Sequence, residues 1–199
     1  MPMYPDQAQL AQLEEKCLAI FQAGGTEGAP EIAEQLLEMP GLPMHSPYHH
    51  FLVAAALLTS AALRTGMEES QYRRKLSLTK ERAAQVPGGY CGQFGCCGAA
   101  VSAGIFASVW QNSAPTKKSG WAEGNRITSL ALEHIASVEG PRCCKRVTWL
   151  CLEGVLPAIR ELLGLDLGQV GNHRCRFHDQ NRECLGKVCP FFSEEKQST

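Results

Sequence analysis

Gly88-Gly89-Tyr90-Cys91-Gly92-Gln93-Phe94-Gly95-Cys96-Cys97-Gly98 runs without a break into Ala99-Ala100-Val101-Ser102-Ala103-Gly104-Ile105-Phe106-Ala107. Three cysteines stand among five glycines, and an apolar helical pattern begins directly after them. Glycine permits positive φ and a close approach of the backbone to a neighbour. A helix start offers unpaired N–H groups and the positive end of the helix dipole. That setting lowers a cysteine pKa and favours the thiolate, the form that attacks electrophiles and binds metals. The structural alternative is that small residues allow tight helix packing, with Cys96 and Cys97 as small apolar groups. The helix from Gly98 to about Trp110 is apolar nearly all round and is expected to be the central buried helix.

Downstream, Gln111 to Gly120 reads as an exposed loop, and Trp121 to Val138 as an amphipathic helix whose His134 is expected in the core. Gly140-Pro141-Arg142-Cys143-Cys144-Lys145-Arg146 then repeats the earlier device: a turn leads to adjacent cysteines at a helix start, here running to Leu163 with Pro157 inside. Upstream, Asp6 caps a helix to about Gln22, with Leu10, Leu13, Cys17 and Ile20 on one face and Cys17 expected in the core. A second helix ends near Glu38, and Glu68 to Ala84 reads as a charged helix. Between them, His45-Ser46-Pro47-Tyr48-His49-His50 opens a third, with Ser46 as N-cap and Pro47 at its first position. Three of the six histidines fall in these six residues. They are either ligands or proton carriers, or residues that cap and pack beneath a loop.

From about Gly168 the helical period is lost. Cys175, Cys184 and Cys189-Pro190 lie in a stretch with His173 and His178 and no core of its own. Such a segment needs a metal, a disulfide or docking to become ordered. The spacing matches neither a zinc finger nor the standard ferredoxin runs. A fourth ligand is open among Cys91, Cys96, Cys97, Cys143, Cys144, His173 and His178. Adjacent cysteines on a helix diverge, so one of each pair is expected at a given metal.

The sequence is therefore expected to be all-α: a single domain of six or seven helices, with an irregular cysteine-rich C-terminal segment packed over helix N-termini. Residues 1–170 form the helical part, 171–192 the metal-binding segment of the same domain, and 193–199 a disordered polar tail. A net charge of −1 argues against nucleic-acid or membrane electrostatics. The longest apolar runs, Phe51 to Leu63 and Gly98 to Trp110, are about 13 residues, short of a membrane span. The N-terminus reads without a signal peptide, so ten cysteines point to metal or thiol chemistry in the cytoplasm rather than to disulfides. Gly88-Gly89-x-x-Gly92-x-x-Gly95 lacks the dinucleotide spacing, and no P-loop Lys-Ser/Thr follows.

His45 to Val53, Cys91 to Ala100, Gly140 to Arg146 and the Cys175…Cys184…Cys189-Pro190-Phe191 tail together resemble an uncharacterised cysteine-rich domain family of anaerobic bacteria and archaea, found alone or fused to S-adenosylmethionine-dependent methyltransferases. The resemblance covers about residues 40–192. It implies an intracellular, oxygen-poor setting and a methyltransferase as a possible partner, and it carries no activity.

Three functions are expected in turn. The first is a cytoplasmic iron–sulfur protein with redox or sulfur-handling chemistry at Cys91, Cys96, Cys97, Cys143 and Cys144, with His49 assisting. The second is a zinc-stabilised module that binds a partner protein without catalysis. The third is a metal-independent thiol enzyme or sensor. Metal ligands are expected among Cys175, Cys184, Cys189, Cys97, Cys144, His45 and His50. Gly92, Gly95, Gly98 and Arg142 are expected to shape the cofactor site. The partner is an unidentified small molecule or protein.

Overall fold

The computed structural model describes residues 4–194 and is all-α among them. Eight helices follow in order: α1 (Gln7–Ala23), α2 (Ala29–Leu37), α3 (His49–Thr65), α4 (Glu69–Ala83), α5 (Tyr90–Phe94), α6 (Gly98–Trp110), α7 (Trp121–Ala136) and α8 (Cys144–Leu163). The one helix the sequence pattern did not yield is α5, a five-residue turn within the glycine–cysteine stretch, too short for any periodicity. The expected polar tail from 193 onward falls largely outside the described residues.

The hub of the fold is α3, not α6 as expected. Thirteen of the seventeen α3 residues are buried, and it packs on α1, α2, α4, α6 and α8. In α6 eight of thirteen are buried, and Val101, Gly104, Ile105 and Ser108 are only half-covered. Its small residues give both faces an apolar look, but what they encode is close approach: a Cβ at Gly104 would strike Thr128 of α7. Across the α3–α6 contact the buried Ser102 hydroxyl accepts the Ala54 N–H at 2.8 Å. Cys17 lies in the core, as its helical position predicts.

Two local expectations change. The start of α3 lies two residues later than Ser46-Pro47 implied. Ser46 and Pro47 form a turn whose carbonyls accept the His49 and His50 N–H groups, and Tyr48 is the cap residue. His134 is half-exposed on α7 and faces Glu153 of α8 at 3.5 Å, so it is not a core histidine.

Beyond α8 the chain returns over the bundle with two single 3₁₀ turns, His178–Gln180 and Gly186–Val188. Its hold on the body is specific. Arg176 pairs at 3.7 Å with Glu34 on α2 and at 2.8 Å with Glu38, the residue that caps it. The Cys175 N–H donates to the Phe191 carbonyl at 2.7 Å, closing the segment on itself. His45 Nε2 bonds Asn181 Oδ1 at 3.1 Å. No described helix is long and apolar enough to cross a membrane.

Candidate functional site: two cysteine-lined cavities divided by the start of α8

Cys143 and Cys144 are adjacent, yet they serve different cavities. Cys143 is the N-cap of α8 and Cys144 its first residue. The Cys143 backbone is extended, at φ −135° and ψ 113°, so its side chain leaves the chain on a different course from that of the helical Cys144. Cys143 therefore lines a small cavity together with Cys175, Cys184 and Cys189. Cys144 lines a larger one with Cys91 and Cys97. Among the fourth-ligand candidates the sequence left open, Cys143 is the cysteine placed beside the tail thiols. Cys97 and Cys144 are not.

The smaller cavity has a volume of about 20 Å³ and apolar walls that include Met44, Trp149, Phe177, Leu185, Phe191 and Phe192. Three of its sulfurs accept a backbone N–H at 3.4 Å: Cys143 from Arg146, Cys175 from Phe177 and Cys184 from Gly186. The last two come from the residue two places on, so the tail backbone folds around each sulfur. Burial raises the pKa of Cys143 and of Cys175, and neighbouring sulfurs raise both further while the N–H donors oppose. His178 also lines this cavity. Its Nε2 pairs with Asp179 at 3.0 Å, and its Nδ1 is buried without a partner.

Two buried cations flank this arrangement, and the sequence reading missed both. Lys145 is 1% exposed and Arg146 is 5% exposed. Lys145 donates to the Leu37 carbonyl at 3.2 Å, and its Nζ stands 4.6 Å from the centre of the Phe177 ring. Burial pulls its pKa down to about 8, against the pull of the Cys144, Cys143 and Cys175 sulfurs. Arg146 donates to the carbonyls of Glu139 at 3.1 Å and Pro141 at 2.6 Å, and its Nε has no partner. Neither cation has a carboxylate partner among the described residues. Buried charges are costly unless an opposite charge offsets them. A basic pair after two cysteines carries no sign of burial in the sequence, so only the packing of α8 against α2 and the tail reveals these cations.

The larger chamber, about 310 Å³, lies where α3, α6 and α8 begin. His50 Nδ1 donates to the Val86 carbonyl at 3.0 Å, which leaves Nε2 as an acceptor. A Cβ at Gly98 would overlap that imidazole, so only glycine fits at the first residue of α6. His49 Nδ1 donates to the Ser46 carbonyl at 3.1 Å, and its Nε2 is buried without a partner. Burial, followed by the Lys145 charge, pulls His49 down to about 3. Cys97 is pushed up to about 11 by burial, and the Cys91 and Cys144 sulfurs raise it further against the Ala99 and Ala100 N–H groups. Cys144 is raised by burial too, against a Ser46 N–H and Arg142. Desolvation thus outweighs the helix-start effect that led the sequence reading to expect a lowered cysteine pKa.

The remaining candidates fall as follows. Gly92, Gly98, Arg142, His45, His49 and His50 line the chamber, whereas Cys96 and Gly95 line neither cavity. His45 joins the two regions: its Nδ1 accepts the Cys144 N–H at 3.5 Å, and its Nε2 reaches Asn181 and, at 3.6 Å, Glu183 of the tail. His173 is not beside the thiols; its ring stacks on Trp149 at 3.6 Å, and burial lowers its pKa to about 4. Among the described residues, no group of three or more His, Cys, Asp or Glu side chains is drawn tightly enough together to hold a single metal ion as it stands.

The chain belongs to a family of unknown function, DUF5714, whose model matches residues 19–192. The match spans both cavities and every helix except the first part of α1. Comparison with curated proteins and with solved structures finds no match.

Proposed function

We propose that this is an iron–sulfur protein in which Cys143, Cys175, Cys184 and Cys189 are the cluster ligands and the adjoining chamber is where redox or sulfur-handling chemistry takes place. The observation that carries the reading is that four cysteines from two distant segments line one apolar cavity, beside two buried cations with no carboxylate. Four thiolates on a metal centre carry net negative charge, and that charge supplies what Lys145 and Arg146 lack. The donor set fits both a 4Fe–4S cluster and zinc. One zinc would draw the sulfurs to within roughly 3.8 Å of one another. Thiolates bound to separate irons stay further apart, which suits sulfurs that line a cavity without converging.

When bound, the group supplies one-electron transfer. The chain's own residues do the rest. The backbone N–H groups of Arg146, Phe177 and Gly186 stabilise thiolate charge at three sulfurs. Trp149, Phe177 and Phe191 exclude water. Lys145 and Arg146 hold positive charge at the centre. All ten cysteines are free, in keeping with a reducing, cytoplasmic setting. The partner is a small molecule or protein that reaches the chamber, with a methyltransferase as the protein partner that the resemblance implies.

One observation favours zinc as the second reading: a cavity of about 20 Å³ is room for a single ion. The test is elemental analysis and a visible spectrum of the full chain, purified without oxygen or added metal. Roughly four irons and matching sulfide per chain, with broad thiolate-to-iron absorption, support the first reading. One zinc without iron supports the second. A metal-free chain with an ordered tail overturns both.

A further inference from the structure

The chamber at the starts of α3, α6 and α8 contains more unclaimed ligating groups than packing explains. Cys91, Cys97 and Cys144 line it, and they come from α5, the cap of α6 and the first turn of α8. His50 has one ring nitrogen committed to the Val86 carbonyl, the arrangement that orients a metal-binding imidazole and leaves its other nitrogen free. Gly98 is the residue that makes room for that ring. His49 supplies an independent sign: it is 1% exposed, it lines the same chamber, and its Nε2 has no partner. A buried polar nitrogen without a partner is costly and calls for a ligand or a water.

We infer that the chamber is a second metal site, in which Cys91, Cys97, Cys144 and His50 bind one thiophilic divalent ion as a closed four-ligand set, with His49 Nε2 buried beside it. This deepens the reading of the chamber as the reactive site, but it does not require iron in the four-thiol cavity. As the ion binds, each thiol yields its proton to solvent and its sulfur bonds the metal, with no change of oxidation state. The sulfurs line the chamber without meeting, so binding draws Cys91 inward. Its helix is bounded by Gly89 and Gly95, at φ of 81° and 64°, backbone states that few other residues adopt. A three-thiolate, one-imidazole set suits zinc or cobalt in tetrahedral geometry. The chamber's volume of about 310 Å³ leaves space for a small organic ligand beside the metal.

The test is anaerobic Co²⁺ titration, read by thiolate-to-cobalt charge transfer and tetrahedral d–d bands. The Cys184→Ser chain, whose four-thiol cavity is incomplete, is expected to take up one cobalt per chain with these bands. Adding Cys97→Ser or Cys144→Ser should weaken uptake by at least about tenfold, and so should His50→Gln. Cys91→Ser, on the least buried ligand segment, is the control if a core variant fails to fold. Failure of the four-thiol reading appears instead as native metal content unchanged by Cys184→Ser, with this cobalt site intact. Tetrahedral thiolate bands that persist through Cys91→Ser and Cys97→Ser, or their absence from the folded Cys184→Ser chain, would overturn the second site.

Discussion

The two cavities share one peptide, Cys143-Cys144, and differ in nearly everything else. The four-thiol cavity is small and apolar, made largely by a tail with no helical core of its own. The chamber is more than ten times larger, is formed by the starts of three long helices, and mixes thiols with imidazoles. The first arrangement holds a segment in place. The second leaves space beside its functional groups. The pair shows how adjacent cysteines at a helix start divide labour: one turns toward the chain that arrives last, the other toward the bundle.

Breaking the tail side should have the largest effect. Cys184→Ser is expected to release the metal, free the tail to proteolysis and lower the melting temperature by on the order of 10 °C. Retained metal with a protected tail would remove this cavity from the account. Acid should act next, through the chamber. His49 is held down to about 3 by burial, against 6.5 when unfolded. The unfolded chain binds this proton first, so stability is full above about pH 6.5 and falls as pH drops toward 3. That shift corresponds to several kcal/mol, about 1.4 per unit. His49→Gln should flatten the acid limb of a pH series of denaturant melts; an unchanged limb would show that other groups set it.

Gly98→Ala is expected to cost about 1–3 kcal/mol by overpacking, because the new methyl displaces the His50 ring. It should also weaken cobalt uptake without changing iron content, which separates the two cavities. Cys17→Ser places a hydroxyl in the core and should cost about 1–2 kcal/mol in denaturant unfolding, leaving every metal in place. The smallest effect is at the surface: Glu153→Gln removes the His134 ion pair, worth less than about 1 kcal/mol. Loss of metal in either of these last two variants would mean that the cavities are coupled through the core.

The helices were legible because their apolar period and their caps are local: Asp6, for example, accepts the Ala8 N–H at 2.9 Å as an N-cap should. That Cys143 and Cys144 would diverge was expected from helical spacing; in the fold it comes instead from the extended backbone of Cys143 ahead of the helix. What the sequence concealed was tertiary. Nothing in the sequence marked Lys145 and Arg146 as buried; α2 and the tail cover them only in the fold. The hub role of α3 was hidden because α6, rich in alanine and glycine, looks more uniformly apolar than it is buried. His134 sat among apolar neighbours in sequence yet faces Glu153 across α7 and α8. The thiol pKa values depend on burial, which a glycine-rich stretch does not encode.

The central claim is that the thiols of Cys143 and Cys144 belong to different sites. Iron and sulfide content of the anaerobically purified Cys143→Ser and Cys144→Ser chains tests it most directly. The account predicts that Cys143→Ser loses its cluster and that Cys144→Ser keeps the wild-type content while losing the cobalt bands of the chamber. Equal loss in both variants, or loss in Cys144→Ser alone, would contradict it.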